Sequence, residues 1–361
     1  MRVVLAGGGT AGHVEPAIAI AAELEASGLA TRSEIYFVGG FRGLEGKLVP
    51  ARGFQLRQIN IVGLPRKLSL ALIKYPFMLW RARSRLVQFL KEIKPDVVIG
   101  FGGYVSAPTY LAAKKLGIPI VVHEANARPG VANRRASKFA DLVIDSFADS
   151  IPRARTLGVP VRAELVALNR EQTKMVARTH FGFAGSNPLL LVFGGSQGAE
   201  RINQAVSEIA PTLTFAGVDI LHIVGDLNLA KYQSLTHQSA GEYKILGYCN
   251  RMDLAYAAAD LAVTRSGALT VAELAVVGLP AILVPYPVGN GEQEFNAAEL
   301  VAVGGGKLLL NADCTPAKLK LMITPLIKSP QDLQEMSAKA KSIARPNAAR
   351  EIVNAVKLVV K

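Results

Sequence analysis

Two glycine-rich segments, each placed between an apolar run and a helical pattern, have the clearest potential for chemistry. One is Gly7-Gly-Gly-Thr-Ala-Gly-His13, here called the Gly7 loop, and the other is Gly194-Gly-Ser-Gln-Gly198, the Gly194 loop. Glycine lets a backbone approach a ligand closely, and the start of the following helix offers free N–H groups and a positive dipole end. Each loop is therefore predicted to hold an anion such as a phosphate.

Titratable side chains lie beside these and similar loops. His13 closes the Gly7 loop, where an imidazole can accept a proton, donate a hydrogen bond to a developing charge, or simply position the loop. Glu273 is predicted one to two turns inside a helix that begins near Ser266-Gly267, where it either binds two ribose hydroxyls or is an ordinary solvated glutamate. The pair His123-Glu124 at a strand end is open to similar interpretations.

Metal chemistry is not expected from this sequence. It contains no Asp-x-Asp and no His/Asp cluster with metal-ligand spacing. A diphosphate leaving group would then depend on helix N-termini, backbone amides and a cation, for which Arg162 is the candidate.

The Gly7 loop also satisfies the dinucleotide-binding pattern Gly-x-Gly-x-x-Gly, so an NAD-linked oxidoreductase is an alternative. However, the second predicted strand ends in Gly39-Gly40, without the acid that holds a ribose diol in such proteins. Neither glycine loop continues into the Gly-Lys-Ser/Thr of a P-loop. These two departures disfavour both classes of nucleotide-binding protein.

The elements that position these loops alternate between strand and helix. In the first half, strands are predicted at Arg2–Ala6, Ile35–Gly39, Asp96–Gly100, Ile118–Val122 and, as the last one, Asp141–Ile144, with a helix from about Val14 to Ser27. In the second half they are predicted at Leu189–Phe193, Asp219–Val224, Tyr243–Leu246, Leu261–Thr264 and Ala281–Pro285. Apolar strands between helices indicate parallel sheets covered on both faces, with ligands beyond the carboxyl ends of the strands.

The chain of 361 residues suits two domains, each with its own core. A boundary at Gly158–Arg162 predicts an N-terminal domain over residues 1–160 and a C-terminal domain over 161–342. A final helix at about 343–361 can pack back on the first domain. The expected fold class is α/β, with two doubly wound Rossmann-like domains that face each other across a cleft.

Composition favours a globular protein of the cytoplasm with anionic partners. Half of the residues are hydrophobic, Cys249 and Cys314 are the only cysteines, and neither a signal peptide nor an apolar stretch of bilayer length is evident. No disulfide is expected. The formal charge of +13 is compatible with nucleic acid, an anionic membrane surface or phosphorylated substrates.

One segment concentrates this charge. Residues 64–94 contain eight Lys/Arg and one acid. On a helix from Pro76, the predicted buried face consists of Leu79, Ala82, Leu86, Leu90 and Ile93. Off that face, Phe77 and Trp80 with Leu68, Leu72 and Ile73 form a predicted apolar patch ringed by Lys67, Lys74, Arg81 and Arg85. Such a patch suits an anionic lipid surface, while packing against a neighbouring loop is the alternative for any single residue.

Taken together, the loops resemble the MurG family, the bacterial family 28 glycosyltransferases that add N-acetylglucosamine to the lipid-linked muramyl-pentapeptide of peptidoglycan. The resemblance spans nearly the whole chain through Gly7–His13, Gly100–Ser106, His123-Glu124 with Asn126, Pro129-Gly130 with Asn133-Arg134, Gly194–Gly198, and Arg265–Thr270 with Glu273. It implies a GT-B fold, UDP-N-acetylglucosamine as donor, lipid I as acceptor and lipid II as product. It also implies inversion at the anomeric carbon without a metal or cofactor.

The resemblance further implies roles for individual residues. His13 is the first candidate for the catalytic base and Glu124 the second. The implied acceptor-binding residues are Gly9, Thr10, Ala11, Gly102, Gly103, Tyr104, Asn133 and Arg134. The implied donor-binding residues are Thr10, Gly12, Asn126, Arg162, Ser196, Gln197, Tyr248, Cys249, Ser266, Ala268, Leu269, Thr270, Glu273, Glu292, Gln293 and Asn296.

The resemblance places the enzyme peripherally on the cytoplasmic face of the bacterial cell membrane. Its expected partners are UDP-N-acetylglucosamine, lipid I, the anionic inner-membrane surface and possible cell-wall synthesis proteins, with no nucleic acid. The alternative is another GT-B UDP-sugar transferase or an epimerase with a soluble substrate, which would not need the basic apolar patch. A non-catalytic nucleic-acid binder would explain the charge but not the glycine loops.

Overall fold

The computed structural model describes residues 1–63, 70–195 and 198–360, which form two compact units. The first unit comprises Met1–Arg162 and Arg345–Lys361, and the second comprises Ala163–Ala344.

The first unit is built on one parallel sheet. Its strands are β1 (Val3–Ala6), β2 (Ile35–Gly40), β3 (Gln55–Ile59), β4 (Val97–Gly100), β5 (Ile120–Glu124), β6 (Leu142–Asp145) and β7 (Arg155–Thr156). Among the described residues the strand order is β3-β2-β1-β4-β5-β6-β7, and every pairing is parallel. Because the order reverses on either side of β1, the switch point lies between β1 and β4.

Helices cover both faces of this sheet. They are α1 (Ala11–Ala26), α2 (Glu45–Ala51), α3 (Leu70–Ile93), α4 (Ser106–Leu116), α5 (Val131–Ala136) and α15 (Ala348–Lys357). One core joins Val3 and Leu5 to Ile18 of α1 and to Ile352 and Val356 of α15. The C-terminal helix therefore packs on the first sheet.

The second unit repeats this design. Its strands are β8 (Leu189–Phe193), β9 (Asp219–Ile223), β10 (His237–Gln238), β11 (Glu242–Leu246), β12 (Leu261–Thr264), β13 (Ala281–Leu283) and β14 (Gly306–Leu308). The described order is β10-β11-β9-β8-β12-β13-β14, parallel except for β10 against β11. Its helices are α6 (Ala163–Val166), α7 (Arg170–His180), α8 (Glu200–Phe215), α9 (Leu229–Tyr232), α10 (Met252–Ala258), α11 (Ala268–Val277), α12 (Glu292–Ala302), α13 (Pro316–Ile327) and α14 (Pro330–Ser342).

The structure confirms the two doubly wound sheets and corrects several details. The expectation that Asp141–Ile144 is the last strand of the first half was wrong, because β7 pairs beyond it. Strands β3, β7, β10 and β14 were not predicted. Helix α3 begins at Leu70 and not at Pro76. Pro76 lies inside the helix at an exposed position, where water can donate to the carbonyl that lacks a backbone N–H partner because of the proline. No helix within the described residues is long and apolar enough to span a bilayer.

Candidate active site

In the first unit, two glycine loops meet at the carboxyl edge of the sheet. The Gly7 loop follows β1, and the segment Gly100–Ser106, here called the Gly100 loop, follows β4. These strands are neighbours, and the amide of Phe101 donates to the carbonyl of Ala6 at 2.8 Å. Since α1 and α4 begin within the last residues of these two segments, both helix N-termini lie at the switch point, where ligands bind in such sheets.

His13 lies in the first turn of α1, with its ring beside the Gly100 loop. Its Nδ1 is 3.3 Å from the hydroxyl of Thr10. A Cβ atom built on Gly102, whose φ is +90°, would be 3.3 Å from His13 Nε2 and 3.2 Å from Asn133 Nδ2. The missing side chain at Gly102 therefore leaves room for this imidazole and this amide beside the same backbone position. When Nδ1–H donates to Thr10, Nε2 carries the lone pair that a general base needs.

Glu124, the second candidate for the base, is buried and accepts hydrogen bonds at both oxygens. Oε1 accepts from the backbone and side-chain amides of Asn126 at 2.9 and 3.2 Å. Oε2 accepts from the amide of Gly130 and from Asn133 Nδ2, both at 3.0 Å. This carboxylate anchors the loop between β5 and α5, so its geometry favours a positioning role over proton transfer.

Asn133 connects that anchor to a second buried group. Its Oδ1 accepts from the hydroxyl of Tyr110 at 2.8 Å, while its Nδ2 also contacts the carbonyl of His123 at 3.0 Å. Burial, followed by the charge of Glu124, holds the pKa of Tyr110 well above its usual value, so this phenol remains a donor. Asn133 is thereby held in a single orientation beside Gly102.

His123 is fully buried, and its Nε2 is 3.0 Å from the carbonyl oxygen of Gly158. Because a carbonyl only accepts, Nε2 carries the proton of the neutral ring. Burial lowers the pKa of His123 and thus favours this neutral form. The geometry indicates that His123 links β5 to the segment after β7.

Sequence reasoning missed Glu45 at this edge. The amide of Gly9 donates to Glu45 Oε2 at 2.9 Å, and the hydroxyl of Tyr104 donates to Glu45 Oε1 at 3.1 Å. The only signal in the sequence is a glutamate at a helix start, five residues after Gly40. An acid does therefore lie near the end of β2, but its carboxylate is fully buried and turned toward the loops.

The other residues predicted around these loops differ in exposure. Gly103, with φ +76°, packs against the Gly7 loop, where a Cβ would lie 2.4 Å from the carbonyl oxygen of Gly8. Thr10 and Arg134 are exposed, whereas Ala11, Gly12 and Asn126 are half-buried.

Arg162, predicted to bind the donor diphosphate, lies beside an acid of the first unit. Its Nε is 3.9 Å from Glu15 Oε2 on α1, with 13% and 14% of the two side chains exposed. This ion pair orients the guanidinium of Arg162, the last residue of the segment Met1–Arg162. Its contact with a diphosphate remains a prediction.

The second unit has an equivalent edge, where β8 and β12 are neighbours with Phe193 opposite Thr264. Helix α11 starts here with Gly267 at its N-cap. The hydroxyl oxygens of Thr264 and Ser266 are buried and have no partner among the described residues. Because buried polar groups are normally hydrogen-bonded, these hydroxyls are suited to a polar ligand. Ser196 and Gln197 of the Gly194 loop lie outside the described residues.

Glu273 projects from α11 and is held from a second helix. Its side chain is largely buried, and Oε2 accepts from the hydroxyl of Tyr256 on α10 at 2.8 Å. This contact is unlike that of an ordinary solvated glutamate. It restricts the carboxylate to one orientation, as a carboxylate that binds a ribose diol requires.

Helix α12 brings one predicted residue to the segment that precedes α11. Asn296 is buried, and its Nδ2 donates to the carbonyl of Ser266 at 3.4 Å. Gln293 and Glu292 instead contact the preceding segment: Gln293 Oε1 accepts from the amide of Tyr286 at 2.9 Å, and Glu292 Oε2 from that of Asn290 at 3.1 Å.

The remaining predicted donor residues lie on two segments. Ala268 is buried and Leu269 and Thr270 are half-buried in the first turn of α11. Tyr248 is 38% exposed beside the buried Cys249, whose thiol pKa is raised by burial. Cys249 is therefore a protonated, small apolar group and not a reactive thiolate.

The predicted membrane patch is exposed where the structure describes it. Ile73, Phe77 and Trp80 are 76%, 61% and 59% exposed, and the two aromatic rings stack with centroids 6.0 Å apart. Lys74, Arg81 and Arg85 are also exposed. Of the predicted buried face, Ala82, Leu86 and Leu90 are buried, and Leu79 and Ile93 are half-buried. Lys67, Leu68 and the side chain of Leu72 lie outside the described part.

Family models match both halves of the chain. Residues 3–144 match the glycosyltransferase family 28 N-terminal domain, and residues 189–352 match the glycosyltransferase family 28 C-terminal domain.

Several proteins are similar over nearly the full length. One from Mycobacterium ulcerans is 48% identical over 98% of this chain and 90% of its own. One from Streptomyces coelicolor is 48% identical over 96% and 95%. Both are named UDP-N-acetylglucosamine–N-acetylmuramyl-(pentapeptide) pyrophosphoryl-undecaprenol N-acetylglucosamine transferase.

Solved structures share the same fold. The crystal structure of Acinetobacter baumannii MurG has a TM-score of 0.78 at 30% identity and covers 99% of each chain. A UDP-GlcNAc 2-epimerase from Neisseria meningitidis, bound to UDP-GlcNAc, has a TM-score of 0.65 and covers 99% of this chain and 100% of its own. At 18% identity, the epimerase shows similarity of fold alone.

Proposed function

The chain belongs to glycosyltransferase family 28, and we infer that it transfers N-acetylglucosamine from UDP-N-acetylglucosamine to the muramyl sugar of lipid I. The product is lipid II, an intermediate of peptidoglycan synthesis. The observation that carries this inference is the full-length similarity to transferases named for the reaction.

We propose that the first unit binds the acceptor and the second binds the donor. The Gly7 and Gly100 loops direct two helix N-termini toward one edge, which suits the acceptor diphosphate. In the second unit, the start of α11, the buried hydroxyl of Ser266 and the oriented carboxylate of Glu273 suit the UDP moiety.

We propose a single displacement with inversion. The acceptor hydroxyl attacks the anomeric carbon opposite UDP, and His13 Nε2 takes the hydroxyl proton as the new C–O bond forms. The bond to UDP breaks, and its electron pair leaves with the diphosphate. The helix starts after the Gly194 loop and at α11 would stabilise that negative charge. Glu124, with four donors on its oxygens, would keep Asn133 in place.

Transfer of label from UDP-N-acetylglucosamine to a lipid I analogue tests donor, acceptor and reaction together. Because the proposed charge stabilisation comes from helix starts, we expect transfer to continue substantially in EDTA. Loss of label transfer in EDTA, restored by Mg²⁺, would contradict the metal-independent mechanism. Absence of transfer by the untreated enzyme would contradict the proposed function.

The exposed patch on α3 favours a lipid-borne acceptor over the soluble substrate of the alternative transferase or epimerase. Exposed aromatic side chains ringed by Lys74, Arg81 and Arg85 match a surface that rests on anionic lipid. We therefore propose peripheral attachment to the cytoplasmic face of the cell membrane, with cell-wall synthesis proteins as further partners.

Trp80 is the only tryptophan, so its fluorescence reports on this patch alone. Anionic vesicles are expected to shift its emission to shorter wavelength, and added salt should weaken the binding by screening the basic ring. Phe77→Ser should reduce binding, whereas Phe215→Ser, which changes an aromatic residue 82% exposed in the second unit, should not. An unchanged spectrum from protein that sediments with the vesicles would place the lipid contact elsewhere.

A further inference from the structure

Glu45, the first residue of α2, joins three segments of the first unit through one fully buried carboxylate. Its Oε2 accepts from the amide of Gly9 at 2.9 Å in the Gly7 loop. Its Oε1 accepts from the amide of Gly40 at 2.7 Å at the end of β2, and from the hydroxyl of Tyr104 at 3.1 Å in the Gly100 loop. Both oxygens therefore accept hydrogen bonds, and such bonds are stronger when the acceptor is charged.

The glycines around this side chain leave room for it. A Cβ atom on Gly8 would lie 2.6 Å from Glu45 Oε1, one on Gly39 would lie 2.4 Å from Cγ, and one on Gly43 would lie 1.9 Å from Oε2. Real Cβ atoms do not approach other atoms so closely. Gly8 after β1, Gly39 in β2 and Gly43 before α2 thus leave the space in which this one carboxylate is buried.

Tyr104 completes the arrangement from the other side. Its ring lies against the Gly7 loop, with Cε1 3.2 Å from a Cβ built on Gly9. Burial, followed by the charge of Glu45 and the hydrogen bond to it, raises the pKa of Tyr104 to about 12. The phenol is thus protonated at neutral pH and can donate to the carboxylate.

The hydrogen bond from Gly9 to Glu45 affects which backbone amides of the Gly7 loop can bind an anion. The Gly9 amide already donates to Glu45, so phosphate recognition falls to the other amides of the loop and to the start of α1. Three hydrogen-bond donors hold the Glu45 carboxylate inside the protein and partly offset its charge at an edge proposed to bind an anion.

We propose that Glu45 is a positioning residue for the acceptor, which holds the Gly7 and Gly100 loops in the conformation that binds the acceptor diphosphate. This inference rests on the proposed function, in which the first unit binds the lipid-linked substrate. It predicts an effect on the acceptor and not on the donor.

The test compares Glu45→Gln with the unaltered enzyme in steady-state kinetics against a lipid I analogue and against UDP-N-acetylglucosamine. Glutamine keeps the size of the side chain but replaces one acceptor oxygen by an NH₂ group that faces a donor. The KM for the acceptor should rise by about ten- to 150-fold, the range expected for a hydrogen bond to a charged group. The KM for the donor should stay unchanged.

Asp219→Asn is the matched control, because Asp219 is also buried and accepts from the amide of Glu242 at 2.9 Å, but in the second unit. It should lower the melting temperature and leave the acceptor KM unchanged. In a double-mutant cycle, Tyr104→Phe should raise the acceptor KM less in the Glu45→Gln enzyme than in the unaltered enzyme. Both substitutions affect the same contact, the hydrogen bond from Tyr104 to Glu45.

The outcomes separate this inference from the proposed function. Unchanged acceptor kinetics in folded Glu45→Gln, or equal rises in both KM values, would overturn the positioning role while transfer by the unaltered enzyme stands. If Glu45→Gln does not fold, Tyr104→Phe decides, because it leaves both backbone contacts of the carboxylate intact and an unchanged acceptor KM would again overturn the inference. Absence of transfer by the unaltered enzyme would instead contradict the proposed function.

Discussion

Replacement of His13 by alanine is expected to lower kcat for transfer by about 10²–10⁴-fold, the usual contribution of a general base, with little change in the KM for the donor. The physical reason is the location of the imidazole. Its Nδ1 is near the Thr10 hydroxyl, and its Nε2 lies beside Gly102, at the edge where two helices begin. Steady-state kinetics with saturating UDP-N-acetylglucosamine and a lipid I analogue would measure the effect.

His180→Ala is the matched control, because His180 is an exposed histidine at the end of α7 and has no place in the proposed site. It should leave kcat unaltered. A His13→Ala enzyme that keeps its kcat and needs more acceptor would make His13 a binding residue. The base would then be sought at Glu124, which would first have to release some of its four hydrogen-bond donors.

Glu273→Ala is expected to weaken UDP-N-acetylglucosamine binding by about ten- to 150-fold, since a hydrogen bond to a charged group contributes about 1.5–3 kcal/mol. The carboxylate is largely buried and is oriented by the hydroxyl of Tyr256, so it can meet two ribose hydroxyls without first losing conformational freedom. Isothermal titration with the donor would measure the change, and UDP alone should show the same loss.

Two further variants make the donor measurement specific. Glu273→Gln keeps the side-chain volume and should lose less affinity than the alanine variant. Glu299→Ala removes an exposed glutamate from α12 of the same unit and should bind the donor normally. Donor affinity that is unaltered in folded Glu273→Ala would contradict the ribose-binding role.

The central strands were predictable because they carry an uninterrupted apolar signal. Strands β1, β4 and β8 are buried along their whole length, as strands covered on both faces must be. The strands missed by the prediction lie at or near sheet edges: β3 has only Ile59 buried, and β7 and β10 have two residues each. Partial exposure removes the apolar run on which the prediction depended.

Helix α3 shows a second limit. The spacing of Ala82, Leu86 and Leu90 was sufficient to predict its buried face. Its start was wrong because Pro76 was taken as the first residue, although a proline at an exposed position can be accommodated inside a helix.

The sequence by itself determined the α/β class, the glycine loops and the family, because these depend on residue types at short, ordered spacings. Only the tertiary structure decided which polar groups those loops contact. Glu45 reaches Gly9 and Tyr104 over separations of 36 and 59 residues, because the order of the strands brings their carboxyl ends to one edge. Hydrogen bonds over such distances follow strand order and burial, which a local sequence pattern does not encode.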